Sequence, residues 1–165
     1  MEIFLVAFIG GIIGSVFMDI TELQISKFGI SSGVKGAYIG RWFYGILGGI
    51  FMHQDISKTK SIKNEERIGQ IFHFIIGGGA VALLYPVFLN IIGLEASTNH
   101  LLLGSVFGLL TSLFPWFILM PSFGWGLFGS KTPFKSKPIL SPLISHIPFG
   151  FGIGLTFVLY YDIMA

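Results

Sequence analysis

Three long segments of this chain, 1–26, 68–130 and 138–165, contain no lysine or arginine, and all ten basic residues lie in 27–67 or 131–137. The basic-free segments hold apolar and glycine-rich runs at 3–18, 68–92, 101–120 and 139–161, the first continuing past Asp19 to about residue 26. A helix needs roughly 20 residues to cross ~30 Å of hydrocarbon. Inside lipid every backbone polar group must be satisfied within the chain, so such runs are predicted to be helices. The expected fold is all-α: an integral membrane four-helix bundle with spans at 3–26, 68–92, 101–120 and 139–161, read as a single membrane domain over 1–165.

Composition supports this reading. Only 11% of residues are charged and 53% are apolar, whereas a soluble domain carries about 25% charged residues. So few charges could not cover a water-facing surface. The 23 glycines suit close helix–helix approach in lipid. Cysteine is absent, which removes disulfide and thiolate chemistry. A net charge of +2 without a basic stripe speaks against nucleic-acid binding. Met1-Glu2 opens the chain with no basic stretch, so the first run reads as a retained span rather than a signal peptide.

A fifth apolar run, 37–52, contains Arg41 and four glycines. If it crossed, Lys27 and Lys35 would lie opposite Lys58, Lys60, Lys63 and Arg67. With four spans, both basic loops (27–67 and 131–137) fall on the cytoplasmic side and both termini outside, as the positive-inside rule expects. The 37–52 run is therefore expected to be an extra interfacial or re-entrant helix, with Tyr38, Trp42 and Tyr44 at the membrane surface. The halves also hint at a tandem two-span repeat: Gly14-Ser15-Val16-Phe17 matches Gly104-Ser105-Val106-Phe107, and His73 and His146 are each followed four residues later by glycine.

The ionisable residues within spans are the candidate site. Glu65, Gly69, His73 and Gly77 fall on one helical stripe at intervals of four. At 1.5 Å per residue, His73, His146 and Asp19 lie ~8, ~10 and ~9 Å in from the cytoplasmic edge. A titratable group at that depth is costly and is a functional-site hypothesis by default. Asp19, Arg41, Glu65, His73 and His146 are expected to form a polar pocket for binding or proton relay, with Asp19 paired to Arg41 or to a histidine. Each also has a plain structural reading: a histidine bonding a carbonyl or serine on the next helix, and an Asp19–Arg41 clamp on the extra helix. His73, His146 and Asp19 are also residue types that ligate a divalent metal, although no short-range ligand motif is present. Axial haem ligation by the two histidines has less support, since no wide cofactor pocket can be argued. His53 and His100 read as loop residues.

Several of these residues recur in a pattern: Met18-Asp19; Gly40-Arg41-Trp42; Glu65, Gly69 and His73; Pro121, Gly124 and Gly126 followed by Ser130-Lys131-Thr132-Pro133; and Ser145-His146 with Gly150 and Gly152. In this the chain resembles a family of small bacterial inner-membrane proteins defined as a domain of unknown function. The resemblance covers nearly the whole length. It implies a four-span inner-membrane protein and no particular activity. The chain departs from the family at Gln70, where an aromatic is common, at Phe74, where Tyr is usual, and at Lys131, where Arg is usual.

The leading functional expectation is binding or translocation of a small solute, ion or proton by a homo-oligomer in the lipid bilayer. Copies would meet through the Gly10/Gly14, Gly104/Gly108 and Gly150/Gly154 faces. The alternatives are a membrane-embedded metal-dependent enzyme and a structural or assembly factor. No hydrolase or kinase signature is present.

Overall fold

The computed structural model describes residues 1–94, 99–132 and 137–164, and among them there are helices and turns but no strand. Four helices are long and apolar enough to cross a membrane: α1 (Glu2–Ser26), α3 (Glu65–Ile91), α4 (His100–Ser122) and α5, whose apolar stretch is Leu140–Ile163. The short α2 (Gly36–Leu47) lies between the first two. Observed boundaries fall within three residues of those expected for the spans. Lys135 and the Pro133 end of the loop motif lie outside the described residues.

The extra helix is shorter than the 37–52 run. It ends at Leu47, where Gly48 caps it and Gly49 turns the chain at φ +81°. That left-handed value suits glycine because it has no Cβ. Ile50 to Gln54 then run on as non-helical chain. Tyr38 and Trp42 are also buried rather than placed at a surface, while Tyr44 is exposed. The Trp42 indole donates to the Phe51 carbonyl (3.0 Å), which draws that segment back onto α2.

Two spans depart from α geometry midway. In α4, Pro115–Leu119 is π-helical. Proline removes one backbone donor and crowds the carbonyl four residues earlier, and a wider turn relieves that clash. In α3, His73–Ala80 is π-helical over eight residues with no proline in it.

The chain divides into two compact units. The first comprises Met1–Thr21, Phe74–Thr111 and Leu143–Ala165, and the second Glu22–His73 and Ser112–Pro142. In the first unit, segments of all four long helices enclose a core of Ala7, Ala82, Tyr85, Leu89, Phe107, Phe149, Ile153 and Phe157. Gly11 lies against the Gly78 carbonyl, Gly14 against the Phe149 carbonyl, Gly104 against Gly150, and Gly154 against the His100 carbonyl. A Cβ at any of these would strike opposing backbone. The faces expected to join copies of the chain are thus spent inside it. The two repeat-matched glycines, Gly14 and Gly104, both pack on α5. Tyr160 donates to the Glu2 carboxylate (3.1 Å), setting the start of α1 beside the end of α5.

In the second unit α2 packs closely on the start of α3: Gly40 meets the Glu65 carbonyl and Gly69 the Gly36 carbonyl. Tyr38, Trp42, Phe51, Phe72, Phe123 and Trp125 form edge-on ring contacts at 5.2–6.3 Å between centroids. The segment after α2 is pinned to the turn after α4, since the amides of His53 and Ile56 donate to the carbonyls of Ser122 (2.8 Å) and Phe123 (2.9 Å).

Candidate functional site

The sequence-derived residues divide between the units. Asp19 and His146 belong to the first, and Arg41, Glu65 and His73 to the second. Asp19 is exposed on α1, whereas His73 and His146 are partly buried.

Arg41 is held by Glu65 rather than by Asp19. Its Nε and Nη2 donate to the two Glu65 carboxylate oxygens at 2.7 and 2.8 Å, a bidentate pair whose side chains are 12% and 17% exposed. Nη1 donates to the carbonyls of Thr59 (2.9 Å) and Ile56 (3.3 Å), and the guanidinium lies 5.5 Å from the Tyr38 ring centre. The Glu65 carboxylate also accepts from the Ile62 amide (2.9 Å). The carboxylate's hydrogen bonds, offset in part by burial, fix the guanidinium in its charged form. Arg41 therefore ties α2, the 56–59 turn and the first turn of α3 into one piece. Arginine supplies the planar fork this needs, and lysine does not. The expected clamp on the extra helix exists, with a different carboxylate.

His146 is anchored in the first unit. Its Nδ1 lies 2.9 Å from the Thr111 hydroxyl oxygen, which also lies 2.6 Å from the Gly108 carbonyl. His73 opens the π-helical stretch of α3. Among the described residues no group of three or more His, Asp or Glu side chains is placed to hold a metal ion.

Two histidines read as loop residues prove to be packed. His100 begins α4 and is 2% exposed. Its Nδ1 lies 3.0 Å from the Tyr85 hydroxyl, its ring stacks on Tyr161, and its Nε2 is buried without a partner. The signals for it were its position directly before the apolar run at Leu101 and the capping residue Asn99, whose Oδ1 accepts from the Leu102 amide (3.4 Å). His53 Nε2 is likewise buried without a partner. Burial lowers the His53 pKa below its ordinary value.

Sequence reasoning also passed over a depression of about 450 Å³ in the second unit, lined by Gln54, Asp55, Lys58 and Thr59. Asp55 Oδ1 accepts from the Ser57 amide (3.0 Å), the Ser57 hydroxyl (2.7 Å) and the Trp125 indole (3.4 Å). Burial pushes the Asp55 carboxyl up, but those bonds and Lys58 together pull it below the usual carboxylate value. No sequence motif marks this site, because the indole arrives from 70 residues away.

Fold and composition define the class as a multi-pass helical membrane protein with four spans. Residues 8–159 match the family described as Protein of unknown function (DUF2938), and the chain belongs to that family. No curated protein and no solved structure matches it significantly.

Proposed function

We propose that this protein binds or passes a small solute, ion or proton across the bacterial inner membrane, with His73 as its working titratable side chain. The observation that carries this reading is the π-helix at His73–Ala80. π-Turns inside helices are rare and concentrate at functional sites. The π-turn of α4 begins at Pro115, whereas that of α3 begins at His73 and contains no proline. Imidazole carries two ring nitrogens that can donate or accept a hydrogen bond, so His73 is a side chain suited to hold a small polar ligand or hand on a proton.

On this reading the basic segments face the cytoplasm and both termini face outward, as the charge distribution favours. Arg41 and Glu65 act as the structural clamp that sets the start of α3, and His73 lies two turns further along. A homo-oligomer would join through lipid-facing aliphatic surfaces, since the glycine faces are already occupied.

The test is proton flux in proteoliposomes carrying an internal pH-sensitive dye and an imposed pH gradient. Wild type should dissipate the gradient faster than empty vesicles, and His73→Gln should bring the rate back to background while unfolding at the same temperature. Equal rates for His73→Gln and wild type would remove His73 from the mechanism. A wild-type rate no faster than empty vesicles would remove proton passage.

A further inference from the structure

The depression in the second unit lies apart from His73 and its role is independent of the reading above. It is lined wholly by polar side chains, and its two charged members are used unequally. The three hydrogen bonds to the Asp55 carboxylate all fall on Oδ1. Among the described residues Oδ2 pairs with the Lys58 ammonium, at 3.5 Å, and the Lys58 side chain is 83% exposed. An ion pair this long and this exposed contributes little and opens readily. The floor is fixed: the segment is pinned by backbone bonds to the 122–123 turn, and Gly124, at φ +83°, lets Gln54 backbone lie directly against it. The depression therefore presents a carboxylate oxygen held in place, an ammonium on a mobile stem and a side-chain amide at Gln54.

We propose that this depression binds a small zwitterion bearing a primary ammonium close to an acid group, a phosphate or a carboxylate. The ligand ammonium takes Asp55 Oδ2, and its acid group takes the Lys58 ammonium released from that oxygen. The internal Lys58–Asp55 pair thus stands in for the ligand when the site is empty. One charge-assisted contact replaces a long ion pair at each end. An anion alone would meet the Asp55 carboxylate, and a cation alone would meet Lys58, so each half of the ligand binds worse than the whole. The same chemistry is offered by a soluble zwitterion and by an ethanolamine phospholipid headgroup.

The experiment uses the full chain in nanodiscs of phosphatidylcholine, whose quaternary ammonium cannot donate a hydrogen bond. Calorimetric titration is run with O-phosphoethanolamine, glycine, inorganic phosphate and ethanolamine. Saturable binding of O-phosphoethanolamine or glycine is expected, at least about tenfold tighter than phosphate or ethanolamine, and weakened about tenfold by Lys58→Ala. Asp55→Asn should weaken it as well. Lys58→Ala alters an exposed side chain and keeps the test valid if Asp55→Asn disturbs the turn. A repeat in nanodiscs containing phosphatidylethanolamine separates the sources: soluble probes are excluded if the lipid headgroup is the occupant and bind unchanged if it is not. The proposal is overturned if neither zwitterion binds, if phosphate or ethanolamine binds as tightly, or if Lys58→Ala leaves binding intact.

Discussion

In the first unit Gly104 and Gly150 bring two helices together backbone against backbone, while in the second Arg41 reaches across to Glu65 and to two carbonyls of the 56–59 turn. Both units use glycine for close approach. The second adds a bidentate ion pair and an arginine-centred network to it. The difference follows charge: all ten Lys and Arg residues lie in the second unit with four of the eight acidic residues, and the first holds the other four acids and no basic residue. Between helices in lipid there is little hydrophobic driving force, so contact must come from van der Waals fit and small residues. Where α2, a turn and α3 meet, short elements cannot rely on long matched faces. A bidentate pair with defined geometry fixes their register instead.

This contrast makes the units break differently. The largest effect is expected from Gly150→Val, whose added side chain meets the Gly104 backbone. Backbone cannot move aside as a flexible side chain can, so the loss should reach at least ~3 kcal/mol, the upper end for overpacking. Denaturant unfolding in detergent would show it, and a loss under ~1 kcal/mol would mean the helices are less tightly seated than described. Next is Arg41→Ala, which strands a mostly buried Glu65 carboxylate and should cost ~3 kcal/mol. The double change Arg41→Ala with Glu65→Ala should recover part of that, and Arg41→Lys should fall between because it cannot form the fork. If Arg41→Ala and Arg41→Lys prove equally mild, the clamp is not what holds α2 on α3.

In the first unit, Tyr85→Phe removes the hydroxyl beside His100 Nδ1 and should cost ~1 kcal/mol. Stability of the second unit should also depend on pH through His53. Its folded pKa is lowered by burial, and the unfolded chain titrates near 6.5. Above that value both states are neutral and His53 contributes no slope. As pH falls through it the unfolded chain takes the proton first, so stability drops on acidification. Hydrogen exchange of 53–56 at pH 7.5 and pH 5 should show faster opening at the lower pH, and His53→Gln should abolish the difference. The smallest effect is Lys58→Ala, within ~0.5 kcal/mol for an exposed pair.

Much of the fold was legible because lipid reduces the structural options. A run of about 20 apolar residues has to be a helix there, and the confinement of Lys and Arg to 27–67 and 131–137 indicated four spans rather than five. The site was less legible. Arg41 and Glu65 were both singled out, but spacing along the chain does not tell which of several carboxylates an arginine reaches. His100 passed as a loop residue although Asn99 directly before it is a capping residue, whose Oδ1 accepts from the Leu102 amide (3.4 Å). Gly14 and Gly104 looked like surfaces for a second copy because small-residue spacing is the same whether the partner helix belongs to this chain or another.

Run length, composition and the placement of Lys and Arg along the chain determined that it is helical, has four candidate spans and concentrates its positive charge in two loops, because desolvating a backbone or a lysine in hydrocarbon is costly. Tertiary structure decided which partner each polar and small residue received. Hydrogen bonds and backbone contacts form at 3–4 Å, and residues as far apart as Asp55 and Trp125 reach that distance only when the helices between them are in place.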